Sequence, residues 1–174
     1  MKKHFTLGIL IAVFVAAYSP KTAAQVSWSL GGNTGISIYD GAAGFHIGPM
    51  SEVIFGRNFA VGSEFNINTQ GGTPIEWYAY GKYYFAITGS KLRPFANFGL
   101  ALYFYTGGPY FGIQGGGGVN IPIANKLYIA PDIQFGPVFG TGGSSYFDPF
   151  FGFVQGQSRT VFAVIIRAGI RYEI

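Results

Sequence analysis

The sequence predicts an all-β fold, an eight-stranded antiparallel up-and-down transmembrane β-barrel. Three observations predict it. Apolar and polar residues alternate along segments whose length suits a tilted membrane strand of about 9–11 residues. Turn residues such as Asp40-Gly41 separate these segments. Charged residues make up only 10% of the chain, against about 25% in ordinary soluble domains.

The N-terminus has the layout of a secretory signal peptide, which we assign to residues 1–24. The basic start Met1-Lys2-Lys3-His4 precedes an apolar run from Phe5 to Ala17 and the small-residue stretch Thr22-Ala23-Ala24. This run is too short for a membrane-spanning helix, which needs about 20 residues. The mature chain, residues 25–174, is then expected to be one barrel domain.

The mature chain has almost no net charge. Three of the 11 basic residues leave with the signal peptide, so eight basic residues face seven acidic ones. This gives no reason to expect nucleic-acid binding, which requires a clustered basic face. The chain has no cysteine, which excludes disulfides and thiolate metal sites.

The stretch VSWSLGGNTGISI, residues 26–38, alternates over its whole length, with Val26, Trp28, Leu30, Ile36 and Ile38 on one face. The same period recurs between Gly-, Pro- and Asn-rich turns. The even number of strands closes an antiparallel barrel and places both chain termini on the same side of the membrane. The predicted strands are 26–38, 45–55, 59–68, 75–85, 92–104, 110–121, 127–139 and 160–174.

Charged residues test which face of each strand is apolar. When the outer face is chosen from aliphatic and aromatic residues alone, every strand charge falls on the other face. An outward Arg or Lys at mid-membrane costs about 2–4 kcal/mol, which explains the sorting. A soluble barrel would reverse the polarity, but eight strands enclose too little space for so many large side chains. The inward charges are Glu52, Glu64, Glu76, Lys82, Arg93, Asp132, Arg167, Arg171 and Glu173.

The last eight residues, RAGIRYEI, resemble the C-terminal assembly signal of bacterial outer-membrane barrels. Arg167, Gly169, Tyr172 and Ile174 match it position by position, although Ile174 stands where phenylalanine is frequent. With the signal peptide, the whole mature chain resembles the small eight-stranded outer-membrane proteins of the OmpA-like, OmpX-like and OmpW-like porin superfamily. The resemblance implies an outer-membrane location and handling by periplasmic chaperones and the barrel-assembly machinery. It does not imply one activity.

The lumen is expected to be filled by ion pairs and tyrosines. Buried charges must be paired or solvated, and the bidentate guanidinium of Arg167 suits Asp132, Glu64 or Glu52 as partners. Two interpretations remain open, a structural plug and a gate that opens when pairs exchange. The predicted plug residues are Glu52, Glu64, Lys82, Asp132, Arg167 and Arg171.

Catalytic and metal-binding interpretations are weaker. After signal cleavage the only histidine is His46, and as a general base it has no visible nucleophile. A metal cluster of His46 with Glu52, Glu64 and Asp132 is disfavoured because these residues lie on different strands at different heights. The run Gly115–Gly118 lacks the Lys-Ser/Thr of a phosphate loop, so it predicts a sharp bend over which a neighbouring tyrosine lies. We expect no enzyme activity, metal or cofactor.

The extracellular loop 140–159 is the only long one, and its aromatics suit an extended hairpin, a cap or a contact surface. The leading functional prediction is a non-enzymatic barrel for envelope structure or surface interaction. The second prediction is a narrow channel for small or hydrophobic solutes, and the third is a lipid-modifying enzyme. Expected partners are outer-membrane lipid and lipopolysaccharide, and the protein is expected to be a monomer. The candidate loop contacts are Tyr146, Phe147, Phe150, Phe151 and Phe153.

Overall fold

The computed structural model describes residues 26–39, 41–69, 75–105, 108–140, 146–148, 152–154 and 160–174. The predicted signal peptide lies outside the described residues. These described residues contain ten strands, and all but two of the ten match predicted strands closely. The strands are β1 Val26–Tyr39, β2 Ala42–Phe55, β3 Phe59–Asn68, β4 Ile75–Tyr84, β5 Arg93–Tyr105, β6 Gly108–Ala124, β7 Leu127–Gly140, β8 Tyr146–Asp148, β9 Gly152–Val154 and β10 Thr160–Glu173.

Eight strands close an antiparallel barrel in the order β1-β10-β7-β6-β5-β4-β3-β2, which confirms the predicted fold class. One circuit of the barrel can be traced from Ser27 on β1 by moving from each residue to its Cα partner on the next strand. The circuit passes Lys82 and Gln134 and returns to β1 at Ser37. This stagger of ten residues in an eight-stranded barrel corresponds to a strand tilt of about 41° and a backbone radius of about 8 Å. Side chains can span a lumen of that size.

The outer wall of the barrel is apolar over its whole height. Phe98, Ile166 and Ile170 are 63%, 55% and 59% exposed, although a soluble protein would bury them. Aromatic residues collect toward both rims. With the N-terminus expected in the periplasm, Phe55 is paired in register with Phe59 at the periplasmic end, and Phe111 is paired with Phe139 at the extracellular end. Such aromatic girdles are typical of membrane barrels.

The lumen holds nearly all of the buried polar residues but is less purely polar than the sequence predicts. Met50, Ile54, Phe95, Val138 and Ile165 also point inward and are at most 4% exposed. Tyr78, Tyr80, Tyr103, Ala101, Val138 and Ala163 form a buried cluster that extends from the middle of the lumen toward the extracellular end. Two apolar layers therefore flank the charged middle of the lumen, the second one near the periplasmic end around Ile54, Tyr84 and Phe95.

Pro131 and Pro137 mark interruptions of the ladder between β6 and β7 but not bulges. Between β6 and β7 the Cα partners pass from Gly112↔Val138 to Gly115↔Phe135, and from Gly118↔Asp132 to Ile121↔Ile129. Pro137 and Pro131 lie within these two gaps and lack the N–H that the ladder needs. Both remain in register with β10. The irregularity of register between β6 and β7 lies at Pro122 and Ala124, beside the periplasmic turn.

The long extracellular loop contains a short hairpin. Tyr146 pairs with Val154 and Phe147 with Phe153, in a two-stranded sheet separate from the barrel. The predicted hairpin is thus present, but among the described residues it is not a continuation of β7 and β10. In the part of the chain that the structure describes, no helix is long and apolar enough to cross a membrane.

Candidate functional site

The lower half of the charged lumen is organised around the carboxylate of Glu52 on β2. Arg171 Nη1 donates a hydrogen bond to Glu52 Oε1 at 2.7 Å, and Lys82 Nζ is paired with the same oxygen. The hydroxyls of Tyr80 and Tyr84 donate at 2.8 and 2.9 Å. Two cations and two phenols therefore satisfy one buried carboxylate.

The upper half is organised around the guanidinium of Arg167 on β10. Its Nε donates to Asp132 Oδ1 on the neighbouring strand β7 at 2.7 Å. Its two terminal nitrogens bind the carboxylate of Glu64 on β3, with Nη2 donating to Oε1 at 3.1 Å. Asn33 adds a 3.1 Å hydrogen bond to Glu64 Oε2. Arg167 therefore spans the lumen and is satisfied at both ends.

The two clusters meet at Asp132 and form one network. Arg171 Nη2 lies 3.7 Å from Asp132 Oδ2, so Arg171 links Glu52 below with Asp132 above. The three cations Lys82, Arg167 and Arg171 face three carboxylates, and each of the six residues is at most 7% exposed. The network is neutral as a set, which is the condition under which buried charges are tolerated. We call these six residues the lumen network.

Phe95 on β5 is a lumen residue that sequence reasoning missed. Its ring centroid lies 4.6 Å from Lys82 Nζ and 5.1 Å from the Arg171 guanidinium carbon. A Cβ added to Gly118 would lie 2.8 Å from the Phe95 ring, so the ring lies over the glycine run. The predicted tyrosine over that run is thus a phenylalanine. Phe95 lies two residues from both Arg93 and Asn97, which point inward, and this alternation could have revealed that Phe95 points inward too.

A tyrosine does lie over a glycine elsewhere, on β3. A Cβ added to Gly62 would come within 2.5 Å of Tyr80 Cζ. The ring of Tyr80 also stacks on Tyr78, with centroids 5.0 Å apart. Gly62 thereby provides the space from which the Tyr80 hydroxyl reaches Glu52.

A second polar group lies above the lumen network. His46 Nδ1 is 3.7 Å from Glu76 Oε2, and Gln114 donates to Tyr103 Oη and, at 3.4 Å, to Glu76 Oε1. His46 is fully buried in the lumen rather than facing lipid. Among the described residues no group of three or more His, Cys, Asp or Glu side chains is placed to hold a metal ion.

The periplasmic mouth is crossed by Arg93. Its Nη1 donates to Glu173 Oε1 at 2.6 Å, its Nη2 to the Arg57 carbonyl at 3.3 Å, and its guanidinium stacks 4.4 Å over the Tyr84 ring. A cavity of about 470 Å³ opens at this mouth. The alternation of the sequence predicts Arg93 and Glu173 on the lumen side but does not pair them.

The residues of the predicted assembly signal divide between the two faces of β10. Arg167 and Gly169 point inward, whereas Tyr172 and Ile174 are 49% and 60% exposed on the lipid side. Of the predicted loop contacts, Phe150 and Phe151 lie outside the described residues. Tyr146, Phe147 and Phe153 lie on the hairpin of β8 and β9.

No family model matches the sequence, and no curated protein matches it. Solved structures do match the fold. The N-terminal β-barrel domain of OprF from Pseudomonas aeruginosa superposes with a TM-score of 0.59 at 11% identity, covering 84% of this chain and 97% of that one. Neisserial surface protein A gives 0.56 at 14% identity, covering 84% and 96%. The outer membrane protein AlkL in lipid bilayers gives 0.54 at 13% identity, covering 90% and 95%.

These identities are too low to transfer an activity, but they agree on the architecture. The fold is that of the small eight-stranded barrels of the bacterial outer membrane, as the sequence predicted. The apolar outer wall and the buried charges are consistent with that environment. The fold and the apolar wall together are those of an outer-membrane barrel.

Proposed function

We propose that the protein is a non-enzymatic outer-membrane barrel whose lumen is closed by the lumen network, and that it serves envelope structure or surface interaction. The observation that carries this proposal is the bridge from Asp132 through Arg167 to Glu64, which spans the lumen. Arg171 and Lys82 on Glu52 add a second bridge below it.

Closure follows from the dimensions of the barrel. A backbone radius of about 8 Å leaves an interior that side chains fill. The cross-lumen bridges occupy this interior at two levels, and the buried rings of Tyr78, Tyr80 and Tyr103 fill further space in it. An ion would have to displace a buried pair in order to pass, and each displaced partner would leave an uncompensated charge.

Planar-bilayer recording tests the plug. Wild-type protein is expected to show no steady conductance, and Arg167→Ala is expected to show one because both bridges to Glu64 and Asp132 are removed. Lys91→Gln, an exposed cation at the periplasmic end, is the control and should behave as wild type. A steady wild-type conductance that Arg167→Ala leaves unchanged would refute the plug.

The extracellular hairpin supports surface interaction as the role of a closed barrel. It carries Tyr146, Phe147 and Phe153 on a two-stranded sheet that is separate from the barrel. Its neighbours there would be lipopolysaccharide and outer-membrane lipid. Periplasmic chaperones and the barrel-assembly machinery would act during biogenesis, and the functional unit would be a monomer.

The second candidate is a narrow passage for small or hydrophobic solutes. Two observations favour it: the ladder gaps at Pro131 and Pro137, and the buried amides of Asn97 and Gln134, which have no hydrogen-bond partner among the described residues. Such amides are usually hydrated. If solutes leave the lumen between β6 and β7, Pro131→Val with Pro137→Val should slow their uptake into proteoliposomes. Unchanged uptake would exclude this route.

The non-enzymatic assignment has its own test. His46 is buried beside Glu76 inside the barrel and does not reach the lipid face. Mass spectrometry of lipid A is therefore expected to show the same species with and without expression of the protein. A new lipid A species that disappears in His46→Ala would overturn the assignment.

A further inference from the structure

The cavity at the periplasmic mouth is a separate feature from the lumen network. Its walls are the turn between β2 and β3, the segment between β4 and β5, Lys126 in the turn between β6 and β7, and the end of β10. Its volume of about 470 Å³ lies within the usual range of about 300–1,000 Å³ for small-ligand sites. We call this cavity the vestibule.

The vestibule carries an excess of positive charge. Arg57, Arg93 and Lys126 line it, and Glu173 is the carboxylate side chain that lines it with them. Glu173 is already engaged by Arg93 at 2.6 Å. Arg57 and Lys126 are exposed and have no ion-pair partner among the described residues. Two cations are therefore available to a ligand.

Arg93 holds a fixed position in this arrangement. Its contacts to Glu173, to the Arg57 carbonyl and to the Tyr84 ring hold the guanidinium across the mouth. Lysine and arginine side chains around a concave surface suit a phosphate group, which accepts several charge-assisted hydrogen bonds. The vestibule is thus pre-arranged for an anion.

The outer side of the vestibule is apolar. Phe85, Ile87, Leu92 and Ile174 line it and are 43–60% exposed on the side that faces lipid. Phe85 and Tyr83 form an edge-to-face pair with centroids 5.2 Å apart at the same end of the wall. A ligand bound here meets cations at its head and hydrocarbon at its tail.

We propose that the vestibule binds the phosphate group of an anionic amphiphile, with the headgroup between Arg57, Arg93 and Lys126 and the chains along the apolar wall. The periplasmic leaflet of the membrane is one source of such a phosphate, and a soluble phosphate ester is another. The site would act independently of whether the lumen conducts.

Native mass spectrometry of the protein in neutral detergent tests the proposal. The probes are phosphatidylglycerol, phosphatidylcholine with the same chains, and glycerol 3-phosphate. The test variant combines Arg57→Gln with Lys126→Asn, because Lys126 has a positive φ of 63° that asparagine tolerates. Lys91→Gln is the control, since Lys91 is exposed at the same end but does not line the vestibule.

Wild type and Lys91→Gln are expected to bind phosphatidylglycerol at least tenfold more tightly than the double variant does, and phosphatidylcholine weakly. Glycerol 3-phosphate binding with the same dependence on the variant would support the site and assign it a soluble ligand. Equal binding of phosphatidylglycerol and phosphatidylcholine would overturn the proposal. Equal losses of phosphatidylglycerol binding in the double variant and in Lys91→Gln would also overturn the proposal. They would indicate that the lipid is attracted by the net charge of the protein and not by a site.

Discussion

The guanidinium of Arg167 and the carboxylate of Glu64 meet across the lumen although β1 and β2 separate their strands. Arg167 also holds Asp132 on the adjacent strand. Because Arg167 serves two carboxylates that are buried on opposite sides of the lumen, its loss would leave Glu64 without a paired cation, while Asp132 would keep only Arg171 at 3.7 Å.

Arg167→Ala is therefore expected to lower the free energy of unfolding by about 3–5 kcal/mol, the usual cost of removing one partner of a buried ion pair. Urea unfolding in detergent micelles measures it. Arg93→Gln removes the partly exposed pair with Glu173 at the mouth and should cost less than Arg167→Ala does. Equal effects of the two variants would show that the lumen network is hydrated rather than buried.

Gly62→Ala is expected to lower the free energy of unfolding by about 1–3 kcal/mol, because its methyl group would displace the Tyr80 ring and break the bond to Glu52. Gly81→Ala on the partner strand is the matched control. A Cβ there finds its nearest neighbours at 3.9 Å, so no loss is expected. If both variants unfold alike, the position of Tyr80 over Gly62 does not contribute to stability.

The two tryptophans report the position of the barrel in the bilayer. Trp28 and Trp77 are 54% and 37% exposed toward opposite rims, and Trp77 also donates a 2.8 Å hydrogen bond to Ser63. Brominated lipids should quench both tryptophans more strongly when the bromine lies near the headgroups than at the bilayer centre. Trp28→Phe and Trp77→Phe separate the two signals, and maximal quenching at the centre would contradict the proposed girdles.

Deleting residues 143–155 is expected to leave barrel assembly intact, because β7 and β10 pair from Thr160↔Phe139 downward without the hairpin. Heat-modifiable migration on a denaturing gel reports assembly. A deletion variant that fails to fold would make the loop structural rather than an interaction surface.

Tyr172→Ser is expected to slow assembly by the barrel-assembly machinery several-fold, because Tyr172 lies on the lipid side of β10 within the predicted assembly signal. Ile174→Phe should assemble at least as fast as wild type. Spontaneous folding into detergent serves as the control and should change little in Ile174→Phe. Equal assembly rates for Tyr172→Ser and wild type would argue against the signal.

Strand positions could be predicted from the sequence because the period-two pattern is long and each face of a strand meets a single environment, lipid on one side and the lumen on the other. The interval 26–38 and the strand Val26–Tyr39 differ by one residue, whereas β6 extends beyond 110–121 because glycine and proline weaken the pattern at its ends. Alternation also placed each charge of the predicted strands on the lumen side. It could not reveal that Arg171 rather than Arg167 reaches Glu52, because partners across the lumen depend on height and side-chain length.

The separations in sequence of the lumen partners constrain how the barrel enters the membrane. Arg167 and Glu64 are 103 residues apart, and Arg171 and Glu52 are 119 apart. A β2–β3 hairpin that inserted early would carry Glu64 into the membrane without Arg167, and Glu52 without Arg171, because both arginines lie on the final strand; Glu52 would then have only Lys82 on β4 as its counter-ion. The meeting of β1 with β10 and the dehydration of the interior must therefore occur as one concerted event, late in biogenesis.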